Sequence, residues 1–117
     1  MQPNRLSRRV TKALEDTRHE LWISPISIWE ILVLCRKGRL VLEGDPSAWI
    51  SSALAKVPFR EAPLTLEVAL ATESIVLRHW DPADRFLAAS AKIYGLTLVT
   101  ADENLAGGKG YPVLANR

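Results

Sequence analysis

The sequence predicts an α/β layered domain in which short parallel strands are joined by crossover helices. Three observations lead there. A polar cap followed by proline, a helix-start signal, recurs at Ser24-Pro25, Asp45-Pro46 and Asp81-Pro82. Short apolar runs separate the helices, the clearest being LTLVT at 96–100. Helices and strands alternate along the chain instead of grouping, which is the pattern of a parallel sheet with helices packed against it. The chain has 117 residues, 48% hydrophobic and 24% charged, enough for one core and not for two, so residues 1–117 are expected to form a single domain.

Residues 6–19 carry Leu6, Val10, Ala13 and Leu14 at helical spacing among charges and read as an amphipathic surface helix. A short strand is expected over 21–24. Ser24 then caps a helix running from Pro25 to about Lys37 and stopped by Gly38. Asp45-Pro46 opens the next, with Trp49, Ile50, Ala53 and Leu54 directed inward. Residues 59–62 look like a strand, and 65–74 like a helix capped by Thr65 with Glu67 near its positive end. The run Ile75-Val76-Leu77 reads either as a strand or as that helix's exit. Asp81-Pro82 starts a helix through about Tyr94, and Gly95 is suited to close it in the left-handed conformation. A strand over 96–100, a turn or short helix over 101–105, a loop over 107–110 and a last strand over 111–114 complete the order.

Several function classes are excluded by simple counts. Fifteen Lys and Arg against thirteen Asp and Glu give a net charge of +2, too small for general capture of polyanions, so any nucleic acid must be met by local patches. Cys35 is the single cysteine, which rules out an internal disulfide and a cysteine zinc site. The longest apolar stretch, 31–35, is far short of the roughly 20 residues that cross a bilayer. The basic start is followed by polar residues and not by an apolar signal core, so a cytoplasmic protein is expected. His19 and His79 lack metal-ligand spacing, no serine sits in a GxSxG setting, and Gly107-Gly108-Lys109-Gly110 lacks the pattern of a phosphate-binding loop and reads as a flexible connection.

Acidic residues in unusual places carry the functional reading. The segment 26–35, ISIWEILVLC, is apolar except for Ser27 and Glu30, which share one helix face. A helix apolar almost all round is expected to be buried, and a carboxylate on it costs several kcal/mol unless a cation, a proton or hydrogen bonds compensate. Glu30 is therefore a metal or catalytic candidate, or else it pairs with an arginine or reaches the surface. Asp81 is explained by capping; Asp84 less so, because the helix runs straight into apolar sequence after it. Asp102 follows LTLVT, placing a carboxylate and the Thr100 hydroxyl at a carboxyl strand edge, where α/β sheets keep their chemistry. Together these acids can converge on one edge. Hard oxygen donors without His or Cys suit Mg²⁺ or Mn²⁺, which orient water for attack on a phosphodiester.

The segments LWISPISIWEI, KGRLVL, RHWDPADRFLAASAKIYGLTLVTADENL and YPVL resemble, in order and spacing, the PIN-domain ribonuclease toxins of the VapC type. The resemblance covers most of residues 21–114, and the pairing of HWDPADR with LVTADE is its specific part. It implies a short parallel sheet flanked by helices and a metal-dependent endoribonuclease of a type II toxin–antitoxin system. By it, Glu30, Asp84 and Asp102 fall on catalytic and metal-binding positions. Asp81, Thr100 and Arg85 would support them, Arg85 through either a phosphate or a site carboxylate. It further implies Mg²⁺ or Mn²⁺, an RNA substrate, a cognate antitoxin and a homodimer. Trp22 and Trp29 are assigned to core or partner contacts, since no alternation of basic and aromatic residues marks a base-stacking row.

One departure stands out. The family opens with a central strand ending in an acid, whereas MQPNRLSRRV at 1–10 has neither an apolar run nor an acid. Loss of that strand is expected to expose neighbouring edges and to weaken cation binding and turnover. The alternative function is then a shortened, catalytically impaired toxin-like module that binds an antitoxin or dimerises.

Overall fold

The computed structural model describes residues 20–100 and 103–115. The helix expected over 6–19 lies outside them. The elements run β1 (Trp22–Ile23), α1 (Pro25–Arg36), α2 (Pro46–Ala55), β2 (Arg60–Glu61), α3 (Leu66–Ala71) with a 3-10 turn (Thr72–Ser74), α4 (Pro82–Tyr94), β3 (Leu98–Thr100), α5 (Glu103–Ala106) and β4 (Val113–Ala115). The predicted α/β class holds, with helices around short parallel pairs. No described helix is long and apolar enough to cross a membrane.

The helix starts form as the sequence dictates. Ser24, Asp45, Thr65 and Asp81 sit in extended backbone, and their side chains accept from the N–H of Ile26, Ala48, Val68 and Asp84 at 3.1, 3.0, 3.2 and 3.1 Å. Each bond satisfies an otherwise orphaned helix donor and is worth about 1 kcal/mol. At the other end of α4, Gly95 takes φ +64°, a left-handed backbone that a β-carbon would strain.

The strands are shorter than their apolar runs and form two separate parallel pairs. Trp22 and Ile23 lie beside Arg60 and Glu61; Leu98, Val99 and Thr100 lie beside Val113, Leu114 and Ala115. No described strand joins the pairs. Leu21 and Ile23 accept from the N–H of Arg60 and Ala62, and the Leu98 N–H donates to Pro112. Because successive residues of a strand direct their N–H and C=O groups to opposite sides, Trp22 on β1 and Val99 on β3 direct theirs to the edges away from those partners. Both edges line one cleft of about 850 Å³ with Leu87, Ser90 and Ala91 of α4.

The core lies under α4. Val68 of α3, Ile75, Ala88 and Ala89 of α4 and Leu105 of α5 are buried together, with Phe86, Leu87, Ile93, Leu98 and Tyr111 packed around them. Small residues at 88–91 let α3 and β3 approach α4 closely. Further ties join distant parts of the chain: Tyr94 donates to the Pro63 carbonyl at 2.6 Å while its ring stacks on Trp22 at 5.8 Å.

Three expectations are corrected. No residue of α1 is buried, and Trp29 is 57% exposed, because among the described elements chiefly α4 and α2 pack against this helix and they cannot cover all its apolar faces. On α2 only Ile50 is buried; Trp49 turns outward. The run 75–77 is neither a full strand nor a helical exit: Val76 exchanges backbone hydrogen bonds of 3.1 and 2.9 Å with Lys109, so the glycine-rich loop is pinned instead of merely connecting.

That pinning leaves no room at Gly108. A β-carbon there would collide with the Tyr111 hydroxyl and lie 2.9 Å from both Leu77 and the Val76 carbonyl. Gly108→Ala is expected to destabilise the protein by about 1–3 kcal/mol, the usual range for overpacking. Chemical denaturation checks this; an unchanged midpoint would mean the loop yields freely.

Candidate acidic site

Asp84 stands in the first turn of α4 and is buried at 5% exposure. A buried carboxylate requires compensation. The helix N-terminus supplies some of it, because the free N–H groups and aligned peptide dipoles favour negative charge there. Asn104 of α5 supplies more: its Nδ2 donates to Asp84 Oδ2 at 2.9 Å. A hydrogen bond to an ionised group contributes about 1.5–3 kcal/mol. Asp81 acts indirectly, accepting the backbone N–H of Asp84 and so fixing where the helix begins.

Asn104 does not stand out in the sequence, and its side chain also binds the backbone of His79. Its Oδ1 accepts the His79 backbone N–H at 2.8 Å, and its Nδ2 also donates to the His79 carbonyl at 3.2 Å. One side chain thus joins the 78–81 segment, the start of α4 and α5. The only sequence signal is a polar residue capable of both donating and accepting, just after a strand end.

Glu30 lies mid-way along α1, half-buried, on a helix that packs against α4. Thr100 is the last residue of β3, but its hydroxyl lies outside the described structure, as does Asp102. Among the described residues, no three acids, histidines or cysteines gather closely enough to hold a metal ion. The described candidate ligands, Glu30 and Asp84, are carboxylates, and that chemistry fits a hard cation such as Mg²⁺ or Mn²⁺.

Arg85 faces elsewhere. Its Nη1 donates to the carbonyls of Thr72 and Ile75 at 3.1 and 2.9 Å, and its guanidinium stacks 4.0 Å from the centre of the Trp80 ring. It ties the 3-10 turn to α4. Among the described residues it forms no ion pair with a site acid.

Comparisons with known proteins identify the family of the chain. The PIN domain model matches residues 3–108. The chain belongs to the PIN-domain family. A curated relative, Ribonuclease VapC22 of Mycobacterium tuberculosis, is 31% identical over 105 residues, covering 89% of this chain and 78% of the relative. No solved structure matches. The PIN-domain chain is therefore of the VapC type, as its motifs imply.

Arg85→Lys tests the role of the guanidinium in this PIN domain. Lysine keeps the charge but loses the planar fork and its stacking on Trp80. A loss of about 1–3 kcal/mol is expected, because the shorter ammonium gives up the stacking on Trp80 and cannot reach both carbonyls from the position Nη1 holds. Thermal unfolding that matches the parent would show that these contacts contribute nothing.

Proposed function

We propose that the protein is a Mg²⁺- or Mn²⁺-dependent endoribonuclease, the toxin of a type II toxin–antitoxin system. The observation that carries this reading is the buried Asp84 carboxylate, held at the positive end of α4 and bonded to Asn104, in a chain akin to a ribonuclease. Glu30, Asp84 and Asp102 would hold the cation, with Asp81 setting the start of α4 and Thr100 adding a nearby hydroxyl. The bound ion would offset phosphate charge and lower the pKa of a water for in-line attack. Asp84 contributes a carboxylate whose orientation is set before any ligand arrives, and Glu30 brings a second from a different helix. With a net charge of only +2, RNA must be recognised locally at this edge and not drawn in by the whole protein. A cytoplasmic setting, a cognate antitoxin and pairing with a second copy complete the reading.

Incubated with Mg²⁺ or Mn²⁺, the protein is expected to cut RNA internally. Asp84→Asn and Glu30→Gln should each lower the rate by more than the roughly 10–100-fold typical of losing an outer partner of a metal ligand. Circular dichroism should show both variants folded. Undiminished cleavage by either folded variant would remove that residue from the site.

The separation of the two described strand pairs favours a second reading, a toxin-like module with impaired catalysis that engages its partner by strand addition. The cleft between β1 and β3 offers main-chain groups at two edges and an apolar wall. Added strands gain affinity from such edges and specificity from alternate side chains. A synthetic peptide of five valines and isoleucines flanked by lysines is expected to raise the melting temperature by several degrees. The same peptide with a central proline, which lacks a donor, should not. Equal effects from both peptides would argue against strand addition.

A further inference from the structure

We propose that Asn104 is the positioning residue of the acidic site, aiming the Asp84 carboxylate through an amide whose own orientation is locked by the His79 backbone. The inference rests on the reading of Asp84 as a metal ligand and adds a role for a residue outside the acidic set.

The geometry leaves the amide little choice. Its Oδ1 takes the His79 N–H at 2.8 Å and its Nδ2 returns a bond to the His79 carbonyl at 3.2 Å. This reciprocal pair fixes both the plane of the amide and which end is oxygen. The same nitrogen has a second proton, and Asp84 Oδ2 lies 2.9 Å away to receive it. Aspartate at this position would lack both donors, leucine would lack every polar atom, and glutamine would displace the amide by one methylene. The bond bridges sequence positions twenty apart and crosses from α5 to the first turn of α4, so it fixes one site element against another.

Ligating carboxylates are commonly oriented by such outer partners, and losing one typically weakens metal affinity by about 10–100-fold. The test is a Mn²⁺ titration by calorimetry on the whole protein and on Asn104→Ala, Asn104→Leu, Asp84→Asn and the double variant Asn104→Ala/Asp84→Asn. Melting of each without metal confirms folding. Both Asn104 variants are expected to lose roughly 10–100-fold in Mn²⁺ affinity while remaining folded. The double variant should bind no more weakly than Asp84→Asn, because a residue that acts through Asp84 has nothing left to orient. A merely structural Asn104 would instead lower the melting temperature and leave affinity unchanged, or add its loss to that of Asp84→Asn; either result overturns the proposal. If Asp84→Asn weakens Mn²⁺ and Asn104→Ala does not, the proposal fails while the metal-site reading stands. If the parent protein binds no Mn²⁺, or Asp84→Asn binds it unchanged, the metal-site reading fails and this proposal with it.

Discussion

The burial of α4 on nearly all sides is the constraint on which the described fold depends. Ala88, Ala89, Ser90 and Ala91 are buried there, and α1, α3, α5 and β3 all pack against this helix. Small side chains contribute modest apolar area each, yet they permit close approach, so the helix works as a common floor under otherwise short elements. Val68 is the largest side chain that is fully buried among the described residues. A core built of alanines with few large side chains gains little per residue, at about 25 cal/mol for each Å² of apolar surface removed from water. Stability then leans on the fixed helix ends and on polar ties between elements, such as Arg85 to the 3-10 turn and Tyr94 to Pro63.

The same helix explains why the buried Asp84 carboxylate of the candidate site sits where it does. Its N-terminus faces the 78–81 segment and α5, and Asp84 is the first-turn residue that turns inward. Capping by Asp81 and burial of Asp84 are two uses of one local feature, free donors at the start of a helix. Asp81 satisfies a donor, and Asp84 is stabilised by the field of the rest. Arg85, the next residue, necessarily projects in another direction, which is why its guanidinium meets carbonyls and Trp80 and not the acids.

Much of this is legible in the sequence because it is local. Ser24-Pro25, Asp45-Pro46, Thr65 and Asp81-Pro82 set helix starts through bonds that span only two or three residues, and Gly95 sets a helix end through its own backbone. The alternation of helix and strand likewise carries the α/β class. What sequence reading misses depends on partners distant along the chain. The apolar run of α1 reads as a buried helix, but periodicity cannot count how many elements will cover it, and Trp29 stays exposed. Val76 pairs with Lys109 and Gly108 packs on Tyr111 for reasons that appear only once the chain has folded back. Of the site, the acids stand out because charge is conspicuous in apolar sequence. Asn104 does not, since a neutral amide near a strand end looks like any turn residue.

The separation of the two described strand pairs bears on how the elements carrying the candidate acids are held relative to one another. Strand pairs of two and three residues make few ladder bonds, and two-stranded sheets are marginal by themselves. β1 leads through Ser24 into α1 and Glu30, whereas β3 leads towards α5 and Asn104. With no described strand bridging these pairs, the helices that carry Glu30 and Asp84 are held together by the packing of α1 against α4. That contact surrounds a shallow apolar depression lined by Ile26, Trp29, Pro82 and Phe86. Regions with few buried contacts open at lower free energy than the core. A partner covering Trp29 and its neighbours would add buried contacts to the seam between the helices that carry Glu30 and Asp84, and so raise the free energy needed to open it.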